Sequence, residues 1–421
     1  MDASEAQAHV RRIAQAAREA AAALATTTGQ QRDQALRTCA EALRRRKADL
    51  QAANRKDLAR SDEFGLSQAM VQRLTLSDKR IESMADALDD IAAQVDPVGK
   101  AIAAYNRPNG LRIEKRRVPI GVVAIIFESR PNVTSDAAGL CLKSANACIL
   151  RGGKEALHSN LAIAEALREG LQAAGLPGES VTVLAETDRA IVPALCTAAG
   201  LVDLLVPRGG KGLIHAVTET ATIPVIKHYD GICHVYVHAA ADLDMAEAIC
   251  LNAKCQYPGV CNAMETLLID QAVAETFLPR VAESLTTEGV ELRGCDRCRE
   301  IVPDMKAATE DDWRAEYLDL VLSVRIVESL DEAVAHINTY GSAHTDAIVT
   351  SQLAPAGRFV AEVDSSSVMV NASTRFSDGG EYGLGAEIGI STDKLHARGP
   401  MGADDLTTYK WIVTGTGHVR M

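Results

Sequence analysis

An alternation that sets in near residue 120 constrains this chain most: short apolar runs that read as strands, each followed by a helical stretch. "GVVAIIF", "ACILRG", "SVTVLA" and "VDLLVPRGG" come in order, with amphipathic runs such as "HSNLAIAEALREGLQAAG" between them. Short apolar strands alternating with helices build a doubly wound parallel sheet. A second series, "HVYVH", "METLLID", "LVLSVRIV", "TDAIVTS" and "SVMVNAS", starts near His234 and predicts a second α/β domain. Before the first series, Asp2 to about Val95 has helical periodicity, with Ile81, Met84, Leu88, Ile91 and Val95 on one face and Asp96-Pro97 ending the run. Between them lies "AIAAYNRPNGLRIEKRRVPIG", where Asn109-Gly110 is a strong hairpin signal and predicts a protruding two-stranded arm.

The 421 residues exceed what one hydrophobic core usually covers, so two or three domains are expected. Forty-four basic residues against 56 acidic ones, a net charge of -12, argue against a nucleic-acid surface. No signal-peptide run and no stretch of about 18 apolar residues is present, so a cytoplasmic protein without a membrane span is expected. Ten scattered cysteines suit free thiols in a reducing compartment. Cys295 and Cys298, in "RGCDRCRE", form one C-x-x-C that lacks the second half of a zinc site; a surface loop is expected there, and no metal.

Several stretches carry chemistry. In "VDLLVPRGGKGLIHAV" a strand runs through a glycine-rich turn into a helix, so the N–H groups of Gly209, Gly210 and Gly212 could meet a phosphate, with Arg208 and Lys211 adding charge. The spacing matches neither common phosphate-loop pattern. "ACILRGGKEALHSN" repeats the arrangement, with Arg151 and Lys154 at a strand's carboxyl end. "FESRPNVTSDAAG" places Arg130 and Asn132 just after a strand; the asparagine is either a cap or an amide donor to an oxyanion. In "NAKCQYPGVCNAMETLLI", Pro258-Gly259 breaks a helix and leaves Cys261 at a turn, where exposure favours reactivity, while Cys255 lies in a helical run and reads equally as a small buried hydrophobe.

Taken together, "VPIGVVAIIFESRPNVTSDAAGLCLKSANACILRGGKEA", "VPRGGKGLI", "QYPGVCNAMETLLI" and "ISTDKLHARGPMG" resemble the γ-glutamyl phosphate reductase family of the aldehyde dehydrogenase superfamily, over nearly the whole chain. The resemblance implies an aldehyde dehydrogenase-like fold: an NADP-binding domain (1–103 and 122–238), a catalytic domain (239–398) and an oligomerisation element (104–121 and 399–421). It implies Cys261 as nucleophile, Asn132 as oxyanion donor, Glu316 on the nicotinamide ribose and the Arg208–Gly212 loop over the cofactor pyrophosphate. The implied reaction is NADPH-dependent reduction of γ-glutamyl phosphate to glutamate 5-semialdehyde and phosphate through a thioacyl enzyme, the second step of proline biosynthesis. The implied partners are further copies of the chain and a glutamate 5-kinase that delivers the acyl phosphate. Arg130 and Arg375 are candidates for the substrate's phosphate or carboxylate, with a structural ion pair as the other reading. Two departures stand out. "KHYDG" puts His228 near the position of the superfamily's water-activating glutamate, and Lys154 replaces a ribose-binding glutamate, which suits the 2′-phosphate of NADP.

Overall fold

The computed structural model describes residues 1–128 and 130–420, the side chain at 69 excepted. The chain divides into two compact units: Met1–Lys227 with Gly383–Gly389 and Met401–Met421, and His228–Tyr382 with Ile390–Pro400.

The first unit opens with helices α1 (Ala3–Leu24), α2 (Gly29–Arg45), α3 (Lys47–Leu58), α4 (Gln68–Leu74) and α5 (Asp78–Ala93). In α5 the Ser77 side chain caps the Arg80 N–H, and Ile81, Met84, Leu88 and Ile91 form a buried stripe at helical spacing. Val95 departs from the expected stripe and is 85% exposed. The helix has already stopped at Ala93, because Gln94 turns extended ahead of Asp96-Pro97 and a residue before proline resists the helical region.

Next come the antiparallel strands β1 (Ala101–Asn106) and β2 (Arg112–Pro119), joined through Asn109-Gly110. Gly110 takes φ +92°, a conformation that costs glycine little. The rest of the unit is β3 (Val122–Phe127), α6 (Asn132–Lys143), β4 (Ala147–Arg151), α7 (Leu157–Ala173), β5 (Val181–Val183), α8 (Ile191–Cys196), β6 (Leu204–Arg208) and α9 (Lys211–Thr220). The four strands form a parallel sheet in the order β5-β4-β3-β6. Every residue of β3 is buried, as in a strand covered by helices on both faces. The winding reverses at β3, so the loops leaving β3 and β6 flank the switch point where open α/β sheets take ligands.

The second unit contains β7 (Cys233–Val237), α10 (Leu243–Cys255), β8 (Met264–Asp270), α11 (Gln271–Thr287), β9 (Glu291–Gly294), α12 (Asp296–Ile301), β10 (Lys306–Ala307), β11 (Val321–Val327), α13 (Leu330–Tyr340), β12 (Thr345–Val349), α14 (Leu353–Glu362) and β13 (Ser367–Val370). Its parallel sheet has the order β10-β9-β11-β8-β7-β12-β13. β7, β8 and β12 are buried along their whole length at its centre.

The first unit begins its antiparallel arm at Ala101 and ends before His228, where the sequence placed these limits at 104 and 238. β14 (Gly389–Ser391) and β15 (Gly399–Met401) lie where the chain passes between the units, and β16 (Thr407–Thr414) pairs antiparallel with β2. The three-stranded arm exposes Ile102, Tyr105, Tyr409, Trp411 and Val413. Among the described residues no helix is long and apolar enough to cross a membrane. Cys295 and Cys298, expected in a surface loop, lie at the start of α12, where Cys298 is fully buried as part of the second unit's hydrophobic core.

Candidate active site

In the first unit, the candidate residues gather at the carboxyl ends of β3, β4 and β6. Asn132 opens α6, and its amide donates to Asp136 Oδ2 at 2.9 Å, one helical turn on. That pairing fixes the direction of the amide. Burial pushes the Asp136 carboxyl up to about 6, although the Asn132 and Ser135 hydrogen bonds oppose it. Arg130 lies half-buried just before this helix.

The loop after β6 presents glycine backbone. Gly210 N–H donates to Glu128 Oε2 at 3.1 Å, so the loop already holds a carboxylate oxygen. A Cβ at Gly210 or Gly212 would meet nothing within 4 Å, which leaves the start of α9 open to a larger anion. Arg208, read from sequence as a loop charge, pairs with Glu387 at 3.1 Å. At the end of β4, the Arg151 guanidinium donates to Gly152 O at 3.1 Å, while Lys154 is exposed with its ammonium 5.1 Å from the Phe64 ring. Backbone donors beside cationic side chains at these strand ends fit the pyrophosphate of a nicotinamide dinucleotide, whose hydride chemistry the side chains lack.

In the second unit the candidates collect before the strands instead of after them. Cys261 occupies a half-buried turn three residues ahead of β8. A ring nitrogen of His228, one of His344 and the Cys261 sulfur lie within 4.8 Å of one another. His228 Nδ1 is 2.8 Å from Ile390 O. A carbonyl only accepts, so Nδ1 carries the hydrogen and a neutral His228 keeps its lone pair on Nε2. His344 is fully buried, with Nδ1 2.9 Å from Thr345 Oγ1.

Backbone and loops hold the cysteine in place. A Cβ at Gly231 would fall 1.9 Å from Cys261 O, so only glycine admits this approach. Gly231 N–H donates to Glu316 Oε1 at 2.9 Å, which places Glu316 next to the cysteine's backbone. Asn262 Nδ2 donates to Ser377 O at 2.9 Å and so ties the loop that carries Arg375 to the residue following Cys261. Arg375 Nε donates to Gln256 Oε1 at 2.8 Å. Burial pulls the Arg375 guanidinium down; Asp378, Cys261 and Cys233 oppose this, which marks the cation as a neighbour of the thiol. Cys255, the last residue of α10, has its thiol pushed up by burial, and Cys233 is pushed up further for the same reason.

Sequence reasoning missed several of these groups. Lys254 and Glu265 are fully buried and paired at 2.6 Å. Burial pushes Glu265 up to about 7 against the pull of Lys254. Its other oxygen accepts Leu318 N–H at 3.2 Å, and Leu318 is a non-glycine residue at φ +55°. The carboxylate thus steadies a strained backbone two residues after Glu316. The signal was present: a glutamate inside the apolar run "METLLID" must find a partner when buried. His344 and Asp136 left no such mark.

The sequence profile described as the aldehyde dehydrogenase family matches residues 2–293. A γ-glutamyl phosphate reductase of Geotalea daltonii is 53% identical over 411 residues, covering 98% of each chain. The crystal structure of γ-glutamyl phosphate reductase from Thermotoga maritima superposes with a TM-score of 0.95 at 46% identity, covering 97% of this chain and 99% of that one. An acetylating aldehyde dehydrogenase from Geobacillus thermoglucosidasius, at 19% identity, covers 100% of this chain and 99% of its own with a TM-score of 0.71, a likeness of fold. By profile, sequence and fold alike, the chain belongs to the aldehyde dehydrogenase family.

Proposed function

We propose that the chain reduces γ-glutamyl phosphate to glutamate 5-semialdehyde and phosphate with NADPH, the second step of proline biosynthesis. The observation that carries this reading is the company kept by Cys261: imidazoles and a guanidinium, with His228 in place of a carboxylate.

His228 Nε2 takes the thiol proton as Cys261 attacks the acyl carbon, and the Arg375 charge favours the thiolate. The acyl–phosphate bond breaks and phosphate leaves with the bonding pair. The Cys261 backbone N–H and the Asn132 amide, held by Asp136, serve the tetrahedral oxyanion, each donor contributing about 3 kcal/mol. Arg375 and Arg130 bind the substrate's anionic groups. A bound dinucleotide would supply the hydride that the thioacyl carbon needs. The C–S bond then breaks, the semialdehyde departs, and Cys261 regains its proton from His228. Lys154 and Arg151 would pair with the 2′-phosphate and so favour NADPH, Glu316 would hold the ribose, and Arg208, Gly209, Gly210, Lys211 and Gly212 would line the pyrophosphate. Exposed Tyr409, Trp411 and Val413 on the arm serve assembly with further copies.

A hydrolytic aldehyde dehydrogenase would need a base poised to activate water, and an imidazole engaged by the nucleophile does not supply a second one. The test is steady-state oxidation of glutamate 5-semialdehyde by NADP at increasing phosphate. The rate should rise from near zero and saturate; a rate independent of phosphate, with glutamate as product, would establish the hydrolytic reaction instead.

A further inference from the structure

Outside the site just described, the second unit holds a pair of thiols that the proposed reaction does not use. Cys295 occupies the N-cap position of α12 and Cys298 lies in its first turn, with their sulfurs 3.5 Å apart. Cys295 is half-buried and reachable from solvent, whereas Cys298 is fully buried, its sulfur 3.4 Å from Val324 O on β11. The Cys295 N–H donates to the same carbonyl at 3.0 Å, so both cysteines are registered on one strand residue.

The preceding residue shows that the pair is built. A Cβ at Gly294 would lie 2.9 Å from Cys298 Cβ and 2.9 Å from Met305 Sδ, so any side chain there would displace the inner cysteine. The two thiols also differ in acidity. The contact between the two sulfurs brings Cys295 down to about 5, while the same contact and burial push Cys298 well up. One sulfur is thus the attacking group and the other is held in reserve. Cys141 and Cys148 are also neighbours, yet both are fully buried and offer no entry to a reagent.

We propose that Cys295 and Cys298 form a thiol–disulfide exchange site, with Cys295 attacking a low-molecular-weight disulfide and Cys298 resolving the adduct. In the first step the Cys295 thiolate bonds to one sulfur of the small disulfide and expels the other as a thiolate. In the second, Cys298 attacks the Cys295 sulfur and its proton passes to the departing second small thiolate. Two protein thiols are oxidised and one small disulfide is reduced to two thiols, so electrons and atoms balance. Closing from 3.5 Å to the bond length of about 2.05 Å takes side-chain rotation over a three-residue spacing.

The experiment treats folded full-length protein carrying Cys261→Ser with oxidised glutathione, quenches with an alkylating reagent and maps the peptides by mass. An internal Cys295–Cys298 disulfide should form, losing two hydrogens and retaining no glutathione. Cys298→Ser should stop at a stable glutathione adduct on Cys295, and Cys295→Ser should leave Cys298 unmodified until the protein is unfolded. At about pH 6 Cys295 should react at least tenfold faster than Cys255, on the order expected for a thiolate against a thiol. A persistent adduct on Cys295 with Cys298 present, no modification of Cys295, or equal rates at Cys255 and Cys295 would each overturn the proposal.

Discussion

The two units of this chain use opposite ends of their parallel sheets. In the first, Arg130 and Asn132, Arg151 and Lys154, and the loop at Gly209–Gly212 all follow strands. In the second, His228 precedes β7, Cys261 precedes β8, Glu316 precedes β11 and His344 directly precedes β12. The physical consequence is one of sign. Helices that cross over a parallel sheet begin where strands end, so the first unit offers helix N-termini and free N–H groups, which suit phosphate. At the amino edge of the second sheet the crossover helices arrive by their C-termini: α10 ends at Cys255 and α13 at Tyr340, just ahead of Cys261 and His344. Helix C-termini do not stabilise a thiolate. Side chains must supply the favourable charge there, and the Arg375 guanidinium is the cation beside Cys261.

This contrast can be broken most severely at the cysteines. Cys261→Ala should remove turnover by a factor on the order of 10⁴ or more, while Cys255→Ala, with its thiol raised by burial, should keep most of it. Equal loss from both, with folding intact, would detach the chemistry from the turn before β8.

The next effect is on stability. Glu265→Gln would leave the Lys254 ammonium buried without its counter-charge, and loss of one partner of such a pair costs about 3–5 kcal/mol. Denaturant unfolding should register that loss, with cofactor affinity falling as the Leu318 backbone relaxes beside Glu316. A variant as stable as the parent would show that the pair is not holding this loop.

The first unit gives a smaller effect with a defined pH dependence. The Asp136 carboxyl is raised from 3.8 to about 6 in the folded state, so between those values the folded protein binds more protons than the unfolded chain. Its contribution to stability is full below the unfolded value and lost as pH rises through about 6, at most about 3 kcal/mol in all. Asp136→Asn should flatten the stability profile over that window; an unchanged slope would place the titration elsewhere.

Smallest is the cofactor effect. Lys154→Glu should raise the Michaelis constant for NADPH by roughly tenfold or more and leave that for NADH little changed, since only one of the two carries a 2′-phosphate. An unaltered NADPH/NADH ratio would remove Lys154 from the site.

Legibility in the sequence follows the same divide. The first unit's candidates sit in contiguous strand–turn–helix segments, so "VPRGGKGLI" and "ACILRGGKEA" announced themselves by local pattern. The second unit's site is assembled from segments far apart in the chain. Gly231 is needed because its backbone touches Cys261 O, a contact thirty residues away that no local pattern records. His344 directly precedes "TDAIVTS" and Glu265 sits inside "METLLID", where a neighbouring apolar run masks a side chain's chemistry. The compact units divide near residue 228, where nothing in composition changes, and the return of 383–389 to the first unit goes with close approaches of Gly385 to Gln94 and of Gly389 to Arg208.

The central claim is that Cys261 carries an acyl group that only an oxyanion such as phosphate removes. Mixing the protein with glutamate 5-semialdehyde and NADP in phosphate-free buffer tests it, with NADPH followed by its absorbance and intact mass read in parallel. The account predicts a burst of about one NADPH per site, a glutamyl mass increment on the peptide containing Cys261, and resumption of turnover when phosphate is added. Continuous NADPH production without phosphate, with Cys261 unmodified and glutamate accumulating, would contradict it.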